Sequence, residues 1–195
     1  MKTNYKGYII NVEQDEYSDS PREWSNVGII AYNHSRYLLG EETINDPIDW
    51  LIDKLNLSEL ATQRIWAKYA TEREVFNYLE KRFFREYAAL PVYLYDHSGI
   101  TINTCGFSCP WDSGKIGYIY ATKESCKEIG VENFSKRKIK NILEQEIENF
   151  DQYITGDVYR YEIEDENGEI IDSCGGIYGE DEAIDDAKVV IDCIS

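Results

Sequence analysis

The sequence predicts an α+β protein, an antiparallel β-sheet with amphipathic helices packed on it and an acidic helix at the C-terminal end. Two observations carry that expectation. Runs of alternating aromatic and β-branched residues bounded by turn formers occur near both ends and in the middle of the chain, and apolar residues recur at helical spacing in the segments between them. Strands and helices come in groups, without the strict alternation of a parallel α/β sheet. A length of 195 residues suits a single domain spanning 1–195, with room for a helical lobe at 45–90.

In chain order, YKGYIINVEQ reads as a first strand, and DEYSDSPREWSNVG as a loop containing Pro21 and Gly28. IIAYNHSRYLL holds a second strand. At NDPIDWLIDKL the period changes: Asp46 is an N-cap, Pro47 takes the first helical position, and Ile48, Leu51, Ile52 and Leu55 share a face. LSELATQRIWAKYA continues as a second short helix. TEREVFNYLEKRFFREYAAL is a firm helix, opened by a Thr71/Glu74 capping box and carrying Val75, Phe76, Leu79, Phe83 and Tyr87 on one stripe, with Pro91 as its stop. PVYLYDHSGITIN and KIGYIYATKE are strands around turns, followed by a short helix that ends at Gly130. SKRKIKNILEQEIENFDQYITG is a second firm helix, although Lys136, Arg137, Lys138 and Lys140 sit at its start, where the helix dipole disfavours cations. DVYRYEIEDENGEIIDSC is a hairpin around Asn167-Gly168, and GEDEAIDDAKVVIDCI closes the chain as an amphipathic helix with Ile184, Ala187, Val190, Ile191 and Ile194 inward.

Charge is the strongest global feature. Lys and Arg total 20 and Asp and Glu 37, for a net −17. Residues 141–195 hold 17 acids against only Arg160 and Lys188, which is −15 of that total. Such a field repels nucleic acid and anionic membrane and attracts basic surfaces on other proteins. No stretch is apolar enough for a signal peptide or a membrane span. With no export signal, the five cysteines (Cys105, Cys109, Cys126, Cys174 and Cys193) read as reduced thiols, and the expected location is the cytoplasm.

Residues 93–120 hold the candidate chemistry. Asp96-His97-Ser98-Gly99 and Pro110-Trp111-Asp112-Ser113-Gly114 both read as turns, in which Asp accepts from its own backbone and Gly accepts unusual dihedrals. The same span brings Asp96, His97, Cys109 and Asp112 near one another, the residue types of a thiol or acid-assisted hydrolytic site. Cys109 precedes a proline and opens no helix that would activate it. The C-x3-C spacing of Cys105 and Cys109 is not that of a zinc site, no phosphate loop or serine-nucleophile elbow occurs, and no metal or cofactor is expected. His34 is a lone histidine and reads as structural.

SPREWSNVG at 20–28, PVYLYDHSGITINTCGFSCPWDSGKIGYIYATKE at 91–124 and FDQYITGDVYRYEIED at 150–165 resemble a family of acidic proteins carried by phages, plasmids and conjugative elements. The resemblance implies a mobile-element protein in a bacterial host cytoplasm and, by analogy with small acidic proteins of such elements, an anti-defence inhibitor of anti-CRISPR or antirestriction type. It transfers no catalytic residue. Under that reading the partner is a basic nucleic-acid-binding protein such as a CRISPR effector or a restriction enzyme, with no direct binding of nucleic acid and none of membrane. The acids expected to meet it are Glu144, Glu148, Asp151, Glu164, Asp165, Glu166, Asp181, Glu182, Asp185 and Asp186, with Trp111 and Tyr118 as recognition residues. A helix from Glu180 to Asp192 runs roughly 20 Å with about one carboxylate per 3.3 Å, close to the spacing of charges on one DNA strand. The alternative is a hydrolytic enzyme, with or without a metal, acting through Asp96, His97, Cys109 and Asp112.

Overall fold

The computed structural model describes residues 1–131 and 135–194. The fold is α+β. Among the described residues nine strands run β1 (Lys2–Tyr5), β2 (Tyr8–Gln14), β3 (Ile29–Tyr32), β4 (Glu42–Thr43), β5 (Ala88–Asp96), β6 (Ile100–Asn103), β7 (Ser113–Ala121), β8 (Val158–Glu164) and β9 (Ile170–Tyr178). The same residues form six α-helices, α1 (Pro47–Lys54), α2 (Glu59–Lys68), α3 (Glu72–Glu86), α4 (Lys123–Glu128), α5 (Lys136–Thr155) and α6 (Glu180–Ile194). The chain divides into two compact units, one of residues 1–24, 98–101 and 148–195, the other of residues 25–97 and 102–147.

The first unit is a four-stranded antiparallel sheet in the order β1-β2-β8-β9 with α6 on one face. Alternation along β2 and β8 sends Ile10, Val12, Tyr161 and Ile163 to that face. There they meet Ala183, Ile184, Ala187 and Ile191, which share one side of α6. The expected single first strand is a hairpin, because Lys6 and Gly7 both take positive φ (47° and 88°) and turn the chain between Tyr5 and Tyr8. That is the dihedral pair of the two-residue turn whose twist matches paired strands.

The second unit is a mixed sheet in the order β4-β3-β7-β5-β6, in which β3 pairs parallel with β4 and antiparallel with β7, and β7 pairs antiparallel with β5. Residues 45–90, expected as a lobe, supply much of the core of this unit. Leu51 and Leu55 of α1 and Val75, Leu79 and Phe83 of α3 bury against Ala31, Ala89, Tyr118 and Tyr120 of the sheet. The predicted caps are present: Asp46 accepts from the backbone N–H groups of Ile48 and Asp49, and Thr71 and Glu74 form a reciprocal capping box. Pro91 does not end α3. The helix stops at Glu86, Tyr87 takes an extended conformation, and Pro91 lies inside β5 opposite Tyr118.

Tyr118, expected at a recognition surface, is 2% exposed. Its ring stacks on Trp50 at 5.5 Å and lies 5.3 Å from Phe83. Its hydroxyl donates to Glu80 at 2.8 Å, and Lys115 sits 4.9 Å from the ring centroid. Burial, and after it the Glu80 carboxylate, pushes the phenol far above its ordinary range, so the side chain is a neutral core residue. The alternation along β7 explains the error, since Tyr118 and Tyr120 both point to the helix-covered face.

Glu42 is the polar counterpart of this aromatic core. It accepts from Lys54 at 2.8 Å, Tyr120 at 2.9 Å and the Trp50 indole N–H at 3.3 Å. Burial alone would raise its pKa, but the three donors together with the Lys54 charge lower it below the ordinary 4.5. The unfolded chain therefore binds the proton more readily. The stabilisation is complete above pH 4.5 and disappears as pH falls through the depressed folded value. Chemical denaturation between pH 6 and pH 3 should show this acid-side loss, and Glu42→Gln should flatten part of it. A second expectation concerns Gly117, where an added Cβ would stand 2.0 Å from the Ala31 carbonyl oxygen. Gly117→Ala should cost about 3 kcal/mol or more in urea denaturation. Gly114→Ala on the same strand, where an added Cβ meets nothing within 4 Å, should stay within about 1 kcal/mol of the parent.

Candidate functional site

The 93–120 segment forms one structured cleft at the end of the β5–β7 pair. A cavity of about 380 Å³ is lined by His34, Arg36, Leu94, Asp96, Trp111, Asp112, Ser113, Gly114 and Ile116. The backbone N–H of Asp96 donates to the Asp112 carbonyl at 2.9 Å, continuing the Tyr95–Ser113 register past the end of the strands. Four sequence candidates therefore converge. Asp112 Oδ2 lies 3.5 Å from His97 Nδ1 and 3.6 Å from Cys109 Sγ, while Asp96 pairs with Arg36.

The loop between β6 and β7 is fixed by side chains. Asn103 Oδ1 accepts from Gly106 N at 2.6 Å and Cys105 N at 3.2 Å, and its Nδ2 donates to the Gly106 carbonyl at 3.2 Å. Ser113 Oγ donates to the Cys109 carbonyl, and Phe107 packs on Tyr95 at 5.6 Å. Two cleft residues were not among the sequence candidates. Arg36 lies 60 positions from its partner Asp96, and no spacing rule connects them. His34 accepts from the backbone N–H groups of Arg36 and Tyr37 through Nδ1, both at 3.3 Å, which puts the proton of the neutral ring on Nε2. It also stacks on Tyr37 at 5.0 Å. These contacts hold the His34 ring within its own loop, and it lines the cleft as well.

The order of groups in the cleft differs from that of a thiol enzyme. In a thiol enzyme the imidazole stands between thiol and carboxylate, taking the thiol proton and being oriented by the acid. Here the same Asp112 oxygen faces both the thiol and the imidazole, which is not that linear order. No group of three or more His, Cys, Asp or Glu side chains among the described residues is arranged to hold a metal ion. All five cysteines are free thiols, and burial pushes that of Cys126 above its ordinary pKa.

The acids fall into three groups. Several are engaged locally. Glu164 meets Lys2 at 3.8 Å and accepts from Asn11 at 2.6 Å, and Asp151 accepts from Thr101 at 2.7 Å. Asp165 closes the β8–β9 turn by accepting from the N–H groups of Asn167 and Glu169, bonds that lower its pKa. On α6, Asp185 is bonded by Lys188 at 2.8 Å, and Asp192 by Lys6 at 2.9 Å and Tyr5 at 3.1 Å, which lowers its pKa. A second group is exposed with no basic partner among the described residues: Glu148, Glu166, Asp181, Glu182 and Asp186. Glu144 stands apart in the second unit, exposed and 3.5 Å from the Thr104 hydroxyl.

One acid outside the predicted set explains part of a quoted motif. Glu146 receives the N–H of Val27 at 2.7 Å on one oxygen and that of Gly28 at 3.0 Å on the other, so the end of SPREWSNVG is clamped to α5. The start of that motif is a 3-10 turn in which Ser20 caps Arg22 and Trp24 packs edge-on against Tyr178 at 5.9 Å.

Comparison with protein families, with curated proteins and with solved structures finds no match for this chain. No helix among the described residues is long and apolar enough to cross a membrane.

Asn103 should be the keystone of the cleft loop. Asn103→Ala removes three hydrogen bonds and leaves the turn amides open, a loss of roughly 1–3 kcal/mol. Amide exchange at Cys105 and Gly106 should accelerate by at least tenfold while exchange in α3 is unchanged.

Proposed function

We propose that this chain is a binding protein whose acidic unit engages a basic, nucleic-acid-handling protein, in the manner of an anti-defence inhibitor that presents carboxylates where DNA presents phosphates. The observation that carries this reading is the segregation of charge. The unit of residues 1–24, 98–101 and 148–195 holds 20 acids and five bases, a net −15, while the other unit holds 17 acids and 15 bases, a net −2. Most basic side chains of the acidic unit are already used on Glu164, Asp185, Asp192 and, through Arg160, Glu13.

Asp181, Glu182 and Asp186 remain open along roughly 8 Å of the α6 axis, a local density comparable with that of one DNA strand. The full helix is less DNA-like than its composition, because pairing removes Asp185 and Asp192 from the open set. The first turn of α6 also gains from its acids through the helix dipole. Mutation therefore has to separate binding from stability. The resemblance to acidic mobile-element proteins supports a CRISPR effector or restriction enzyme as the partner class.

The test is capture from lysate of the bacterial host by the parent chain and by an Asp181→Asn/Glu182→Gln/Asp186→Asn variant, with a denaturation curve for each. The parent should retain a basic nucleic-acid-binding protein at 100 mM salt and lose most of it at 500 mM. The variant should capture at least tenfold less while losing no more than about 1–2 kcal/mol of stability. Equal capture by a folded variant would overturn the assignment.

A further inference from the structure

We infer that the cleft at the end of the β5–β7 pair is a receptor for an arginine side chain of a protein partner, with Asp112 as the carboxylate that receives the guanidinium and Trp111 as the ring on which it stacks. The site lies wholly within the second unit and does not depend on the acidic unit as a binding surface.

The first support is an internal precedent. One guanidinium on the cleft wall already meets both an aromatic ring and a carboxylate. Arg36 pairs with Asp96 and lies 5.4 Å from the Tyr37 ring centroid. Asp112 and Trp111 line the same cleft and offer the same two groups, and no Lys or Arg among the described residues pairs with Asp112. Planar guanidinium suits this geometry better than ammonium, because it stacks on a π-face while donating in its own plane to a carboxylate.

The second support is unspent acceptor capacity. The backbone of Asp112 is anchored by the Asp96 N–H, so the residue is fixed in place. Among the described residues its side chain has a weak thiol donor at 3.6 Å and an imidazole nitrogen at 3.5 Å, both too distant for strong hydrogen bonds, and no Lys or Arg partner. A carboxylate with several acceptor sites is thus held at the cleft wall largely unused.

The third support is Trp111. At 91% exposed it is the most open tryptophan of the chain, and it is carried on a loop pinned by Ser113, Phe107 and Asn103. A large indole displayed on a fixed loop loses little conformational entropy when covered. Anions are disfavoured, because the lining offers two carboxylates against one guanidinium that is already paired.

The test uses the full chain labelled with 15N and two synthetic peptides, acetyl-Gly-Arg-Gly-amide and the same peptide with citrulline, which keeps the shape and removes the charge. The indole N–H resonance of Trp111 is assigned by its disappearance in Trp111→Phe. The arginine peptide should shift that resonance saturably, with at least fivefold weaker binding for citrulline and weaker binding again at 500 mM salt. Asp112→Asn, checked for a preserved spectrum elsewhere, should reduce the arginine response to the citrulline level. If Asp112→Asn disturbs the spectrum, the arginine–citrulline comparison on the parent decides alone. Equal response to both peptides, no response to either, or full response in a folded Asp112→Asn variant would each overturn the assignment. Loss of lysate capture in the acidic-unit variant leaves this titration untouched, so the two assignments fail separately.

Discussion

The approach of β7 to β3 is the constraint on which the second unit depends. Gly117 faces Tyr32 in the pairing and comes so close to the Ala31 carbonyl that no side chain fits between them. With β7 seated there, Tyr118 and Tyr120 are delivered to the face covered by α1 and α3, where Trp50 and Phe83 complete an aromatic cluster. Large rings packed edge-on and offset fill volume with few rotatable bonds and contribute beyond their buried area. Their hydroxyls need acceptors at that depth, and Glu80 and Glu42 supply them.

The same strand positions the cleft. Where β5 and β7 run out of regular pairing, the Asp96–Asp112 backbone bond extends the ladder by one step and brings two turn sequences side by side. Each turn residue then has two duties. Asp96 ends a strand and holds Arg36, and Asp112 ends the opposing loop and faces His97 and Cys109.

Charge is organised by unit and, within the acidic unit, by local pairing. Basic residues there are few, and they are spent on acids next to the sheet and on the sides of α6. What remains open is concentrated at the first turns of α6 and at the tip of the β8–β9 hairpin. The first location is favoured by the helix dipole itself. The dipole therefore offsets part of the repulsion among the acids at the start of α6.

The sequence by itself determined the elements with strong local signals. Asp46-Pro47, the Thr71/Glu74 box, Gly130 and the Asn167-Gly168 turn sit where capping and turn chemistry put them, because those interactions span only a few residues. It also showed that Asp96, His97, Cys109 and Asp112 belong together, since all four lie within 17 positions. Only the tertiary structure decided the rest. Tyr118 went to the core, Pro91 went into a strand, Arg36 was brought to Asp96, and one oxygen of Asp112 was set near both a thiol and an imidazole. Those outcomes depend on which strands pair, in what register, and which sheet face the helices cover. Such choices are made by contacts between residues far apart in the chain, and local periodicity carries no record of them.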